Sequence, residues 1–284
     1  LGKADSGFHL LTSVDLKEAK ELALKLDAIN QERKNIQEQV QDEVDYLIGR
    51  EVDLEKDRVI VLASENFHSG VVGIVASRIV EKYFRPVVLI ALENGTGKGS
   101  GRSTPHFNLH RAFTECANNL VQFGGHAYAA GLTINEGSID SFRNSINEVG
   151  RRILSKEDLV PELCIDAPLK ISEINEVLYK QINCMEPFGS ENPTPVFLIQ
   201  CVRVSGLKKI GRGGSHARFQ VIDDNEKIDA IAFNLAEEFA SINERLDQVD
   251  LVSELQINDW NGRNKLELKI VDLQLSTHTD KFLA

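Results

Sequence analysis

Residues 97–133 read GKGSGRSTPHFNLHRAFTECANNLVQFGGHAYAAGLT, two glycine-rich stretches on either side of a short amphipathic helix. No other stretch constrains the chain as much, because glycine punctuates structure and two tight turns are expected to bracket one helix. The first, Gly97 to Ser103, places Lys98, Ser100, Arg102 and Ser103 on a backbone freed by three glycines. Such a backbone can bring its N–H groups close to a phosphate, while Arg supplies a two-pronged donor. The second, Gly124-Gly125-His126, delivers an imidazole from an equally permissive backbone. Two plain turns of an α/β domain account for the glycines alone. The Arg and His they carry, about one helix apart, favour a phosphate cradle.

The rest of the chain supplies a frame for that stretch. Residues 12–15 resemble a helix start with Thr12 as cap, and apolar residues then recur three or four apart to about Gly49. This long helix is thinly apolar and heavily charged, as expected of a connector. Residues 58–63 and 87–92 are apolar runs suited to buried strands, with a helix at 70–84 between them. Asn108 can cap a helix to Leu120; a strand at 130–134 and a helix at 138–154 follow. Alternating strands and helices argue for an α/β domain. After a linker at 156–165 comes a helix at 171–185. Then β-branched runs occupy 196–204, 216–222, 228–233, 249–257 and 265–275, with a helix at 236–246 and an Asn261-Gly262 hairpin turn. Five strands with a helix before the fourth suit a small closed barrel of the oligonucleotide-binding (OB) type.

At 284 residues the chain has room for two cores. No apolar run approaches membrane-spanning length. Four cysteines without a Cys-x-x-Cys pair read as reduced thiols of a cytoplasmic protein. The net charge of −11 opposes nucleic-acid binding on average, but the charge is segregated. Arg203, Lys208, Lys209, Arg212 and Arg218 share a segment with no acid, and six cations between Arg78 and Arg111 face only Glu81 and Glu93. One binding face with a repulsive back fits this pattern; so does an ordinary solvated surface.

The run His68-Ser69-Gly70-Val71-Val72-Gly73-Ile74-Val75-Ala76-Ser77-Arg78, the GKGSGRS stretch, and Phe123-Gly124-Gly125-His126 with Ala129-Ala130-Gly131-Leu132 resemble the DHH-associated domain of RecJ-type exonucleases. Residues after about Cys164 resemble the OB domain that follows it. The resemblance implies a connector helix at 1–57, an α/β domain at 58–155, a linker at 156–165 and an OB domain at 166–284. It implies degradation of single-stranded DNA from the 5′ end, with Mn2+ or Mg2+ held by an N-terminal domain named for an Asp-His-His triplet. No such triplet occurs here. The chain is therefore expected to be the C-terminal part of the enzyme, to bind no cofactor and to hydrolyse nothing by itself. Ser100 and Arg102 are expected, by the same resemblance, to contact the DNA 5′ end, with Lys98 and Ser103 beside them. His126, on Gly124 and Gly125, is expected to contact a phosphate near the scissile one.

His68, before a helix N-terminus, is either an anion ligand or a surface cap. His106 and His110 have metal spacing but straddle a helix start with no Cys or Glu to complete a set. In the barrel, Arg203, Lys208, Lys209, Arg212, Arg218 and Arg263 would track a strand backbone, and Trp260 would stack a base. Phe219 reads as core, and Phe233 fits either role. Expected partners are single-stranded DNA and, for a docking role, a single-strand-binding protein or a helicase; nothing demands more than a monomer. Two other classes stay open: a phosphoesterase of very short oligonucleotides or cyclic dinucleotides, and a protein-docking module without DNA affinity.

Overall fold

A computed structural model describes residues 4–242, 247–258 and 264–276. They form two compact units, one up to Pro161 and one from Glu162. In the first, α1 (Ala4–Thr12) precedes α2 (Leu16–Glu51). The cap of the long helix is Asp15, whose side chain accepts from the Lys17 N–H at 2.8 Å. Thr12 lies inside α1, donating its hydroxyl to the Phe8 carbonyl, so the expected start at Thr12 is corrected. A carboxylate also suits the positive end of a helix. The last turns of α2 bury Val40, Val44, Leu47 and Ile48, so this helix walls the unit as well as leading into it.

Next come β1 (Ile60–Ser64), α3 (Val72–Tyr83), β2 (Val87–Glu93), β3 (Thr96–Arg102), α4 (Leu109–Glu115), β4 (Gln122–Gly125), β5 (Ala129–Asn135) and α5 (Ile139–Ile153). One mixed sheet has the order β1-β2-β3-β5-β4, with β1 and β2 parallel and the other pairs antiparallel. Strand alternation divides its apolar side chains between two cores. Ile60, Leu62, Val87 and Leu89 pack with α2 and α3. Val59, Val61, Val88 and Ile90 pack with α4 and α5 on the other face.

Both expected glycine turns are strands. The chain reverses one residue pair earlier, at Asn94 and Gly95, whose φ values of 52° and 75° make a tight two-residue hairpin. Strand β3 then pairs in unbroken register with β2 and β5. Its glycines serve packing. A Cβ on Gly97 would lie 2.4 Å from Ile90 Cγ2, and one on Gly99 would lie 2.8 Å from Leu132 Cδ1. Likewise Gly124 and Gly125 end β4, and the second reversal occupies residues 126–128, closed by the His126 N–H on the Ala129 carbonyl at 2.8 Å.

The second unit contains β6 (Ala167–Pro168), α6 (Glu176–Asn183), β7 (Phe197–Ile210), β8 (His216–Asp223), β9 (Glu226–Ala232), β10 (Val249–Asn258) and β11 (Lys265–Leu275). Strands β7 to β11 close a five-stranded barrel of OB topology: β9 pairs with β11 in parallel, and β10 pairs back onto β7. The helix expected at 171–185 is split, with a 3-10 turn at Ile171–Glu173 before α6. Asn175 accepts from two first-turn N–H groups of α6 and so starts a new helix there. The helix expected at 236–246 is a 3-10 turn, Glu238–Ser241, among the described residues. It presses Phe239 onto Phe219 with ring centroids 4.5 Å apart, which seals the barrel core. The Asn261-Gly262 turn lies outside the described residues.

Packing glycines and open glycines respond differently to a methyl group. We expect Gly97→Ala to destabilise the chain by about 1–3 kcal/mol in urea unfolding, the usual cost of overpacking. Gly131, whose Cβ would meet only the Gly99 carbonyl at 3.7 Å, is expected to tolerate Ala within about 0.5 kcal/mol.

Candidate nucleic-acid interface

Because the glycines of β3 face α4 and α5, its alternate residues Lys98, Ser100 and Arg102 face the side of the sheet that carries α3. Arg102 Nη1 donates to Ser100 Oγ at 3.1 Å and to the Gly101 carbonyl at 2.8 Å. Both side chains are half-buried. Among the described residues no carboxylate pairs with Arg102, and the Ser100 hydroxyl proton has no acceptor. A half-buried guanidinium without a counter-ion favours an anion beside it.

The surroundings are open and positively polarised. The first turn of α3 lies over the pair, with Gly73 against both side chains. The N–H groups of Val72 and Ile74 are taken by the His68 and Val71 carbonyls, and that of Gly73 by none among the described residues. Beyond α3, register aligns Ser100 with Gly131 and Gly131 with Gly124, an exposed floor without side chains. His126 stands at the end of that floor. Its backbone bonds to Ala129, the register partner of Arg102, and its ring is exposed with no hydrogen bond among the described residues. Ser100, Arg102 and His126 thus belong to one end of one sheet.

The other expected ligands divide. Ser103 donates its hydroxyl to the Phe107 carbonyl at 2.6 Å and holds the turn into α4. Lys98 is exposed at the opposite end of β3 from Arg102, and lines a cavity of about 420 Å³ with His68, Ser69 and Glu93. His68 Nδ1 accepts from the Gly70 N–H at 3.0 Å, which leaves its exposed Nε2 as the donor. His106 Nδ1 lies 3.8 Å from Asp158, whereas the His110 ring packs on Phe123. Among the described residues no three His, Cys, Asp or Glu side chains converge to hold a metal, so these residues do not fit one.

The barrel cations divide between the two ends of the β7–β8 ladder. Lys208 and Arg218 are cross-strand partners at one end of the β7–β8 ladder, and Lys209 pairs with Ala217 on the alternate side. Arg203 lies at the other end, against a cavity of about 550 Å³ lined by Asp223, Asp224 and Asp247. Arg212 stands in the 3-10 turn joining β7 to β8. Trp260 and Arg263 lie outside the described residues. Phe219 is core, 3% exposed, whereas Phe233 is 44% exposed beside His216.

Arg218 is engaged at 3.4 Å with Glu267, a carboxylate only 2% exposed that also accepts from Gln256 and Asn258. Burial pushes the Asp229 carboxyl up, but bonds from Lys265 and Gln220 outweigh it and hold the group below its ordinary range. Asp229 therefore lends stability above its unfolded pKa that is lost as pH falls through the folded value. Reading the glycines as turns does not single out Gly73 or Gly131. The available signal is glycine inside a helix or a strand, where it costs about 0.5–1 kcal/mol relative to Ala.

Family models match both units: a DHHA1 domain over residues 56–151 and a RecJ OB domain over residues 165–272. The single-stranded-DNA-specific exonuclease RecJ of Bacillus subtilis (strain 168) is 33% identical over 96% of this chain, and that of Escherichia coli (strain K12) 31% over 93%. The crystal structure of RecJ in complex with Mn2+ from Thermus thermophilus superposes with a TM-score of 0.76 at 27% identity, covering 95% of this chain and 38% of that one. The chain spans 35% and 47% of the length of the two curated relatives.

A charge left behind in a low-dielectric niche separates structural from free cations. Arg218→Ala is expected to cost about 1 kcal/mol of stability by removing one partner of buried Glu267. Lys208→Ala is expected to stay within about 0.5 kcal/mol. Chemical denaturation of both variants checks the contrast.

Proposed function

Since the chain belongs to the RecJ family, whose DHHA1 and OB domains it carries in that order, we propose that it is the strand-holding C-terminal part of a single-stranded-DNA-specific 5′-to-3′ exonuclease. The observation that carries this reading is the Arg102–Ser100 pair, a half-buried cation and a hydroxyl with no carboxylate beside them among the described residues, under the first turn of α3. A terminal 5′-phosphate supplies the missing anion. It would accept from Arg102 Nη2 and from the Ser100 hydroxyl, with His126 reaching the next phosphate across the bare floor of Gly131 and Gly124. Small residues there let a sugar-phosphate backbone lie against the sheet.

The barrel then holds the strand on its approach. Lys208 and Lys209 have no ion-pair partner among the described residues, and they sit at the same end of the ladder as the β7–β8 turn, one of the loops through which OB barrels take single strands. Because Arg218 is neutralised by Glu267, this contact is weak and salt-sensitive. Hydrolysis, with divalent metal, belongs to another part of the enzyme, and this chain alone is inactive. Single-strand-binding protein or a helicase remains a partner to be tested on the barrel. A dinucleotide phosphoesterase would leave the barrel without a ligand, which favours the long strand.

The test compares a single-stranded oligonucleotide with a 5′-phosphate and the same strand with a 5′-hydroxyl. The phosphorylated strand is expected to bind the chain more tightly. Arg102→Ala should remove roughly tenfold or more of that affinity, the scale of a charge-assisted hydrogen bond, while leaving the hydroxyl strand nearly unchanged. Equal affinities for the two strands in the unsubstituted chain refute the reading.

A further inference from the structure

Glycine inside a helix costs stability relative to alanine, so Gly73, the second residue of α3, needs a reason. Its backbone gives none, because it is not among the residues with positive φ. The reason is space. A Cβ built at Gly73 would lie 3.0 Å from Arg102 Nη2, 3.0 Å from Ser100 Oγ and 3.6 Å from Arg102 Cζ. Gly97 and Gly99 clear core methyl groups instead, from Ile90 and Leu132. At Gly73 the three nearest atoms belong to the polar ends of side chains assigned above to the phosphate.

We infer that the bare Cα of Gly73 is what allows the Arg102 guanidinium to lie on Ser100 under α3, which makes Gly73 a positioning residue of the phosphate grip. The inference rests on the functional reading above. The three nearest atoms that a methyl group at 73 would meet belong to side chains and not to rigid backbone. The guanidinium at the end of a flexible side chain gives way first, so the fold survives while the Arg102–Ser100 pair opens. Displacement of a binding group by a few tenths of an ångström weakens each bond it would make to a terminal phosphate.

Thermal unfolding and affinity for 5′-phosphorylated and 5′-hydroxyl single strands test this on the 284-residue chain as it stands and as Gly73→Ala, Arg102→Ala and the double variant. The expected result is a melting temperature for Gly73→Ala that is unchanged or raised. Its preference for the 5′-phosphate should fall about three- to tenfold, with no further fall when Gly73→Ala is added to Arg102→Ala. If Arg102→Ala loses the preference and Gly73→Ala keeps it whole, the inference is overturned and the phosphate reading stands. If the unsubstituted chain shows no preference, or Arg102→Ala keeps it, the reading itself fails and Gly73 falls with it. A melting temperature lowered equally by Gly73→Ala with and without Arg102 assigns the glycine to packing, which also overturns the inference.

Discussion

Strand β3 meets the core through hydrogen atoms. On the side of α4 and α5 it offers Gly97, Gly99 and Gly101, and Ile90, Leu132, Leu109 and Phe113 fill the space that side chains would take. This contact lets the central strand of a two-faced sheet be half polar. A strand buried on both faces ordinarily needs apolar residues throughout. Here the apolar surface comes from the neighbours, and the strand's own side chains, Lys98, Ser100 and Arg102, are all directed to the other face.

From that constraint the site follows. Gly73 leaves room under the first turn of α3 for Ser100 and Arg102, which sit half-buried there. Half-burial matters: in full solvent the guanidinium would be hydrated and indifferent to an anion, and in the core it would require a carboxylate. The barrel uses its charges differently. Glu267 and Asp229 pair with Arg218 and Lys265, so these cations are already satisfied within it. Lys208 and Lys209 have no ion-pair partner among the described residues. That division fits the proposed function, in which the strand end is held firmly and the rest of the strand loosely.

Much of this was legible in the residues and some was not. Apolar runs before and after residues 70–84 marked β1 and β2, and β-branched runs at regular spacing marked the barrel, because burial leaves a periodic trace. GKGSGRS misled in conformation, since the expected turn is strand β3. Local rules assign glycine to turns, whereas tertiary packing against Ile90 and Leu132 makes it the one residue that fits a strand there. The same override hid β4, where Gln122 to Gly125 pairs with β5 despite low strand propensity. Charge counting along the segment from Arg203 to Arg218 could not see that Glu267, about fifty residues later, would neutralise Arg218. Gly73 was equally hidden, since the space it leaves is defined by two side chains from another strand.

The most direct measurement is the structure of this chain bound to a 5′-phosphorylated single strand. The account predicts the terminal phosphate within hydrogen-bonding distance of Ser100 Oγ and Arg102 Nη2, beneath the first turn of α3, with the next nucleotides lying over Gly131 toward His126. A strand end seated elsewhere, with Arg102 still closed on Ser100 and no anion beside them, would contradict it.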